Sequence, residues 1–138
     1  MKIVIQRVSE ASVTIEKKVV ASIKSGLLVL LGIINDDSQE DIEWLCRKIV
    51  GMRIFPDENG VMNKSIQDVS GDVIVVSQFT LHASTKKGNR PSFINAAKPD
   101  LANKLYLDFI TTAKTAIGKY QVAMGQFGAD MQVGLVND

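Results

Sequence analysis

The stretch "GLLVLLGI" at 26–33 is apolar at every position, with no alternation between a wet and a dry face. Its length is that of a strand, and even extended to Ile34 it falls far short of the ~20 residues a membrane helix needs. A strand with two apolar faces must be covered on both, so it sits inside a sheet and not at its edge. The rest of the chain must therefore supply neighbouring strands and a layer over each face.

The neighbours are legible. "KIVIQRV" (2–8) sets Ile3, Ile5 and Arg7 against Val4, Gln6 and Val8, the alternation of a strand. "ASVTIEKKVVASI" (11–23) reads as two strands joined at the charged tip Glu16-Lys17-Lys18. A helix follows, capped by Asp37 or Ser38, with Glu40 and Asp41 in its first turn. Ile42, Leu45, Cys46, Ile49 and Met52 form its apolar face, and Gly51 marks its end. "RIFPDENGVM" predicts a strand turning at Pro56 to Gly60, and Ile74-Val75-Val76 another strand. After the polar loop "STKKGNRPSF", a second helix starts at Lys98-Pro99-Asp100 with the stripe Leu101, Leu105, Phe109, Ala113 and Ile117, stopping at Gly118. The tail "YQVAMGQFGADMQVGLVND" supplies two more strands. The pattern predicts one α+β domain over residues 1–138: a curved, barrel-like, mostly antiparallel sheet with two inserted helices.

Composition removes several function classes. A net charge of +1 gives no overall cationic field, so any attraction for phosphates must be local. One cysteine and one histidine exclude a disulfide framework and a cysteine-rich zinc site, and no metal or cofactor is expected beyond weak magnesium contacts at Asp57 and Glu58. No signal peptide opens the chain, which points to a reducing, cytoplasmic setting.

No phosphate loop, dinucleotide fingerprint or nucleophile elbow is present. Cys46 falls on the apolar stripe of a helix, where cysteine packs as a small hydrophobe. The unusual feature is Ser77-Gln78-Phe79-Thr80, a polar cluster around one aromatic at the end of an apolar strand. Phe79 offers a π-face for a base, while hydroxyls and backbone N–H groups can hold a ribose or an ester carbonyl. Residue chemistry alone favours a plainer reading: a strand running out into polar loop, with Phe79 in the core. On an extended strand Thr80 and His82 share a face, giving a nucleophile–base pair with no third group to orient it. A solvated loop histidine is the stronger expectation. Lys86, Lys87 and Arg90 make a local basic patch that either contacts phosphates or only solubilises the loop. Arg7 shares a face with Ile3 and Ile5, where a charge is costly unless paired. Either that face opens to water, or the guanidinium holds backbone carbonyls.

Together these residues resemble the D-aminoacyl-tRNA deacylase family. The likeness runs from "MKIVIQRVSEASV" through "GLLVLLGI", "MRIFPDENG", "MNKSIQDVSGDVIVVSQFTL" and "KKGNRPSF" to "GQFGADMQVGLVND". Its most specific pieces are "SQFTL" at 77–81 and the neighbouring "NRPSF". The resemblance implies a homodimer that hydrolyses the ester joining a D-amino acid, or glycine, to tRNA and rejects L-aminoacyl-tRNA. It implies that Ser77, Gln78, Phe79 and Thr80 line the pocket for the 3′-terminal adenosine and its aminoacyl group. Thr80 and Ser77 are the implied catalytic positions, with main-chain groups of Ser77, Gln78 and Phe79 as oxyanion donors. The resemblance carries two views of Thr80: a nucleophile, or a residue lining the pocket while main-chain groups and the tRNA's own 2′-hydroxyl do the work. The second fits better, because no convincing base accompanies Thr80. Lys86, Lys87 and Arg90 then meet phosphates of the acceptor end. Arg7 supports a Gly-cis-Pro element that one subunit inserts into the other's site. Neither DNA nor a membrane is an expected partner.

The family pattern continues past Asn137-Asp138 into Gly-Pro-Val-Thr, which this sequence does not contain. The expectation is a domain lacking the family's final strand and its Gly-Pro element. Three rivals stand beside the resemblance: a non-catalytic barrel that binds single-stranded RNA, a small-ester hydrolase using Thr80 and His82, and a purely structural subunit.

Overall fold

A single 14-residue strand, β1 (Lys2–Ile15), opens the chain where the sequence suggested two shorter ones. Its partners explain the length. Residues 2–8 pair with β3 (Gly26–Gly32), 11–15 with β2 (Lys18–Ile23) and 8–14 with β8 (Gln132–Asn137), all antiparallel. The computed structural model describes residues 1–119 and 121–138; Tyr120, which opens the C-terminal tail, lies outside them. Between β1 and β2, Glu16 and Lys17 both take positive φ, 48° and 66°. Two left-handed residues in succession make the hairpin turn whose twist matches that of the strands it joins.

The strand β3 is central, as its composition requires. It lies between β1 and the parallel strand β6 (Asp72–Ser77), which β7 (Val122–Met124) joins, again in parallel. The sheet order is β2-β1-β3-β6-β7, with β8 on β1. A separate antiparallel hairpin is formed by β4 (Phe55–Pro56) and β5 (Met62–Lys64). The α+β, barrel-like expectation holds, with two parallel pairings inside the sheet.

Both faces of β3 and β6 are dry. Leu27, Val29, Leu31, Val73 and Val75 pack with α1 (Gln39–Gly51) and α2 (Pro99–Ile117). Leu28, Ile74 and Val76 pack on the other side with Val8, Val13 and Ile23. This double coverage is why both strands read as unbroken apolar runs.

Ser38 caps α1, and its backbone N–H donates to Asp41 Oδ2 at 2.8 Å, a reciprocal capping box with aspartate as the third residue. The buried residues Ile42, Leu45, Cys46 and Ile49 are four of the five the spacing predicted; Met52 lies at the C-cap and is only partly buried. In α2 the predicted Leu105, Phe109 and Ala113 are buried, Leu101 and Ile117 only partly, and Ala102, Tyr106 and Ile110 join them because α2 packs against α1 as well as the sheet. Tyr106 is fully buried, with its hydroxyl 2.7 Å from Gly125 O and 3.0 Å from Val75 O. It ties β6 to the segment leaving β7, and burial pushes its pKa well above the ordinary tyrosine value.

Candidate functional site

The site is built where β6 ends. The Gln78 N–H donates to Leu31 O at 2.7 Å, a last rung on β3, and Phe79–His82 then wind into one turn of 3₁₀ helix. Leu81 N–H closes on Gln78 O at 3.2 Å and Ala83 N–H on Thr80 O at 3.1 Å. The turn lies close on Gly32. A Cβ there would stand 3.0 Å from Gln78 O, from Leu81 Cβ and from His82 Cδ2. Only a residue without a side chain lets the turn sit so near the sheet.

This turn corrects two expectations. Thr80 and His82 are not on an extended strand, and residues two apart on a 3₁₀ helix point roughly 240° apart around its axis, so they do not share a face. Nor is His82 a solvated loop residue. It is 8% exposed, and its Nε2 has no hydrogen-bond partner among the described residues. The Thr80 hydroxyl accepts from the side-chain amide of Gln78 instead.

Ser77, Gln78 and Phe79 line an open cleft of about 710 Å³, within the range usual for small-molecule sites. Phe79 is 57% exposed, which removes the reading that placed it in the core. Thr80 is half-buried and outside the cleft lining, held against Gln78. The other walls come from residues the sequence reading left unassigned. These are Phe93, Lys98 at the cap of α2, and Phe127 and Asp130 from the loop before β8. Phe93 and Phe127 were visible only as parts of "NRPSF" and "GQFGAD", where local chemistry gave neither of them a role.

The basic loop ends one residue before Phe93 of the cleft wall. Ser84 and Ser92 form a two-way backbone bridge, 2.8 and 2.9 Å, which clasps residues 85–91. Lys86, Lys87 and Arg90 are exposed on that loop and form no ion pair among the described residues. From Val73 to Pro99 the sequence has four basic residues and no acidic one, so the near-neutral protein concentrates positive charge beside the cleft.

Arg7 is placed elsewhere. Its Nε donates to Asp138 O at 2.9 Å and its Nη1 to Ile54 O, while the Asp138 N–H returns to Arg7 O at 2.9 Å. Of the two alternatives open in the sequence, the guanidinium holds backbone carbonyls. Asp57 and Glu58 are taken up by their hairpin: Asp57 Oδ1 accepts from Asn59 N at 2.9 Å and Val61 N at 3.0 Å, and Glu58 pairs with Lys64. Cys46 is buried, and desolvation pushes its thiol pKa up to about 11. No described helix is long and apolar enough to cross a membrane.

Residues 4–138 match the family described as D-Tyr-tRNA(Tyr) deacylase. The chain belongs to that family. It is 63% identical to the D-aminoacyl-tRNA deacylase of Christiangramia forsetii over all 138 residues, which is 91% of that relative. It is 62% identical to the D-aminoacyl-tRNA deacylase of Flavobacterium johnsoniae over the same span, again 91% of the relative. Among solved structures, one titled c-Myc DNA Unwinding Element Binding Protein superposes with a TM-score of 0.95 at 40% identity, covering 100% of this chain and 93% of the other. A probable eukaryotic D-amino acid tRNA deacylase superposes with a TM-score of 0.84 at 16% identity, over 99% of this chain and 93% of the other, and shares the fold.

Proposed function

We propose that this protein frees D-amino acids from tRNA by holding the terminal aminoacyl-adenosine in the cleft beside Phe79 while water attacks the ester carbonyl. Family membership and relatives above 60% identity support the reaction class, hydrolysis of D-aminoacyl-tRNA to free amino acid and tRNA. The observation that carries the placement is the meeting of Ser77, Gln78 and Phe79 on the cleft wall, where the backbone leaves β6 and turns sharply.

The first N–H groups of a helical turn have no partner within it. At Phe79 they are free to stabilise the oxyanion that forms as water adds to the carbonyl carbon. The bond to the ribose oxygen then breaks, and that oxygen takes up a proton. Ser77 shapes this wall, while Thr80, behind it and accepting from Gln78, orients the turn without attacking the ester. Selectivity is steric exclusion: rigid backbone fills the space an L side chain needs, and glycine, having none, passes. In this reading the excluding element is the family's Gly-Pro segment, which these 138 residues do not include. It would come from the partner of a homodimer and lean on Arg7, whose grip on two carbonyls supports that role. Lys86, Lys87 and Arg90 meet the acceptor-end phosphates, and the enzyme works in the cytoplasm beside the translation machinery.

A comparison of D-tyrosyl-tRNA with D-tyrosine methyl ester tests this reading. Turnover should require the adenosine, leaving the methyl ester near its uncatalysed rate. Equal kcat/KM on both would favour a small-ester hydrolase, and binding of tRNA without turnover would favour the RNA-binding barrel.

A further inference from the structure

We infer that the cleft opens outward onto a second nucleotide subsite, made by Phe93 and Ile94 beside the basic loop, so that the protein grips the last two nucleotides of the acceptor end. This rests on the reading above that the cleft holds the terminal adenosine.

Three observations meet at this rim. The rings of Phe79 and Phe93 lie 5.1 Å apart at an interplanar angle of 75°, edge to face. Such a pair consumes at most one face of either ring, and both remain open, Phe79 at 57% and Phe93 at 36% exposed. Two successive bases, one on each ring, would have planes turned nearly at right angles. That is the splayed arrangement proteins impose on unstacked single strands. Ile94, 84% exposed, extends the apolar rim past Phe93.

The charge is placed to match. The Ser84–Ser92 bridge fixes the base of the basic loop one residue before Phe93. Arg90 precedes Phe93 by three residues, and Lys98 lines the same cleft as Phe93. A phosphate linking a base in the cleft to a base on Phe93 would therefore lie near Arg90 and Lys98, neither of which forms an ion pair among the described residues. This complementarity favours a nucleotide over an apolar peptide as the occupant. No contact with a particular base edge is required, so the subsite is tolerant of sequence.

Equilibrium binding of adenosine, adenosine 5′-monophosphate and the dinucleotide cytidylyl-adenosine separates the contributions. The dinucleotide should bind at least fivefold more tightly than the monophosphate, a gain of about 1 kcal/mol and the lower end of base–aromatic stacking. Phe93→Ala should erase that gain, and Phe93→Leu, which keeps apolar bulk without a π-face, should erase most of it. Ile94→Ser should reduce it in part. Equal affinity for monophosphate and dinucleotide overturns the second subsite while leaving the adenosine site intact. Failure of adenosine itself to bind, together with no release of D-amino acid, overturns the underlying reading instead. If Phe93→Ala abolished self-association in sedimentation yet left dinucleotide binding unchanged, this face would belong to a second copy of the chain and the subsite would fall.

Discussion

The side-chain amide of Gln78 donates to the hydroxyl oxygen of Thr80, so Thr80 enters the site as an acceptor with its own proton in place. The imidazole two residues on, His82, points elsewhere on the turn. Among the described residues no base contacts this hydroxyl. Hydrolysis then depends on the backbone that the pair holds in shape.

Thr80→Val and Ser77→Ala should each lower single-turnover release by less than about tenfold, below the ~10²–10⁴ that a positioned acid–base group typically supplies. Loss of turnover in both variants with tRNA binding intact would contradict the main-chain account.

His82→Ala should cost about 2–4 kcal/mol of stability, as large-to-small changes in packed sites do, while the pH dependence of kcat between pH 5 and 8 stays that of the parent. His82→Leu should cost less, because the ring's Nε2 makes no hydrogen bond that would be lost. Thermal melts and a pH–rate profile together distinguish this from a catalytic histidine, whose removal would flatten the profile and abolish turnover.

Gly32→Ala drives a methyl against one backbone oxygen and a buried ring at 3.0 Å. Overpacking of this kind costs about 1–3 kcal/mol. The turn carrying Phe79 must rise off the sheet, so kcat should fall more steeply than affinity for adenosine.

Much of this architecture was open to sequence reading. β3 and the buried face of α1 follow directly from apolar spacing, since both faces of one and a single stripe of the other meet protein. The turn at Glu16 and Lys17 was legible as the charged tip between two strands, but its left-handed backbone was not, because that conformation is usually flagged by glycine or asparagine and here two charged residues adopt it. The cleft was half legible. Ser77, Gln78 and Phe79 stood out as polar and aromatic residues at a strand end. Phe93, Lys98, Phe127 and Asp130 come from distant segments that only the tertiary fold brings together. His82 misled because polarity suggested water, whereas the approach of the turn to Gly32 buries it.

The Cys46 thiol should resist alkylation in the native protein and react fully once it is unfolded. Its folded pKa, about 11, lies above the thiol's ordinary value of about 9, so the native state keeps a proton that the unfolded chain gives up. The sign is therefore a contribution present below pH 9 and lost as pH rises through 9 towards 11. Cys46→Ala should lower stability at neutral pH through the lost packing and show a shallower decline across that alkaline window. Urea titrations at several pH values measure both effects. An equal slope in parent and variant would show that the thiol does not contribute.

The most direct test of the central claim is the rate of tyrosine release from D-tyrosyl-tRNA and L-tyrosyl-tRNA prepared on the same tRNA. The account predicts rapid release of D-tyrosine, with L-tyrosine leaving no faster than it does without protein. Equal release of both enantiomers, or of neither by a folded protein, would contradict it.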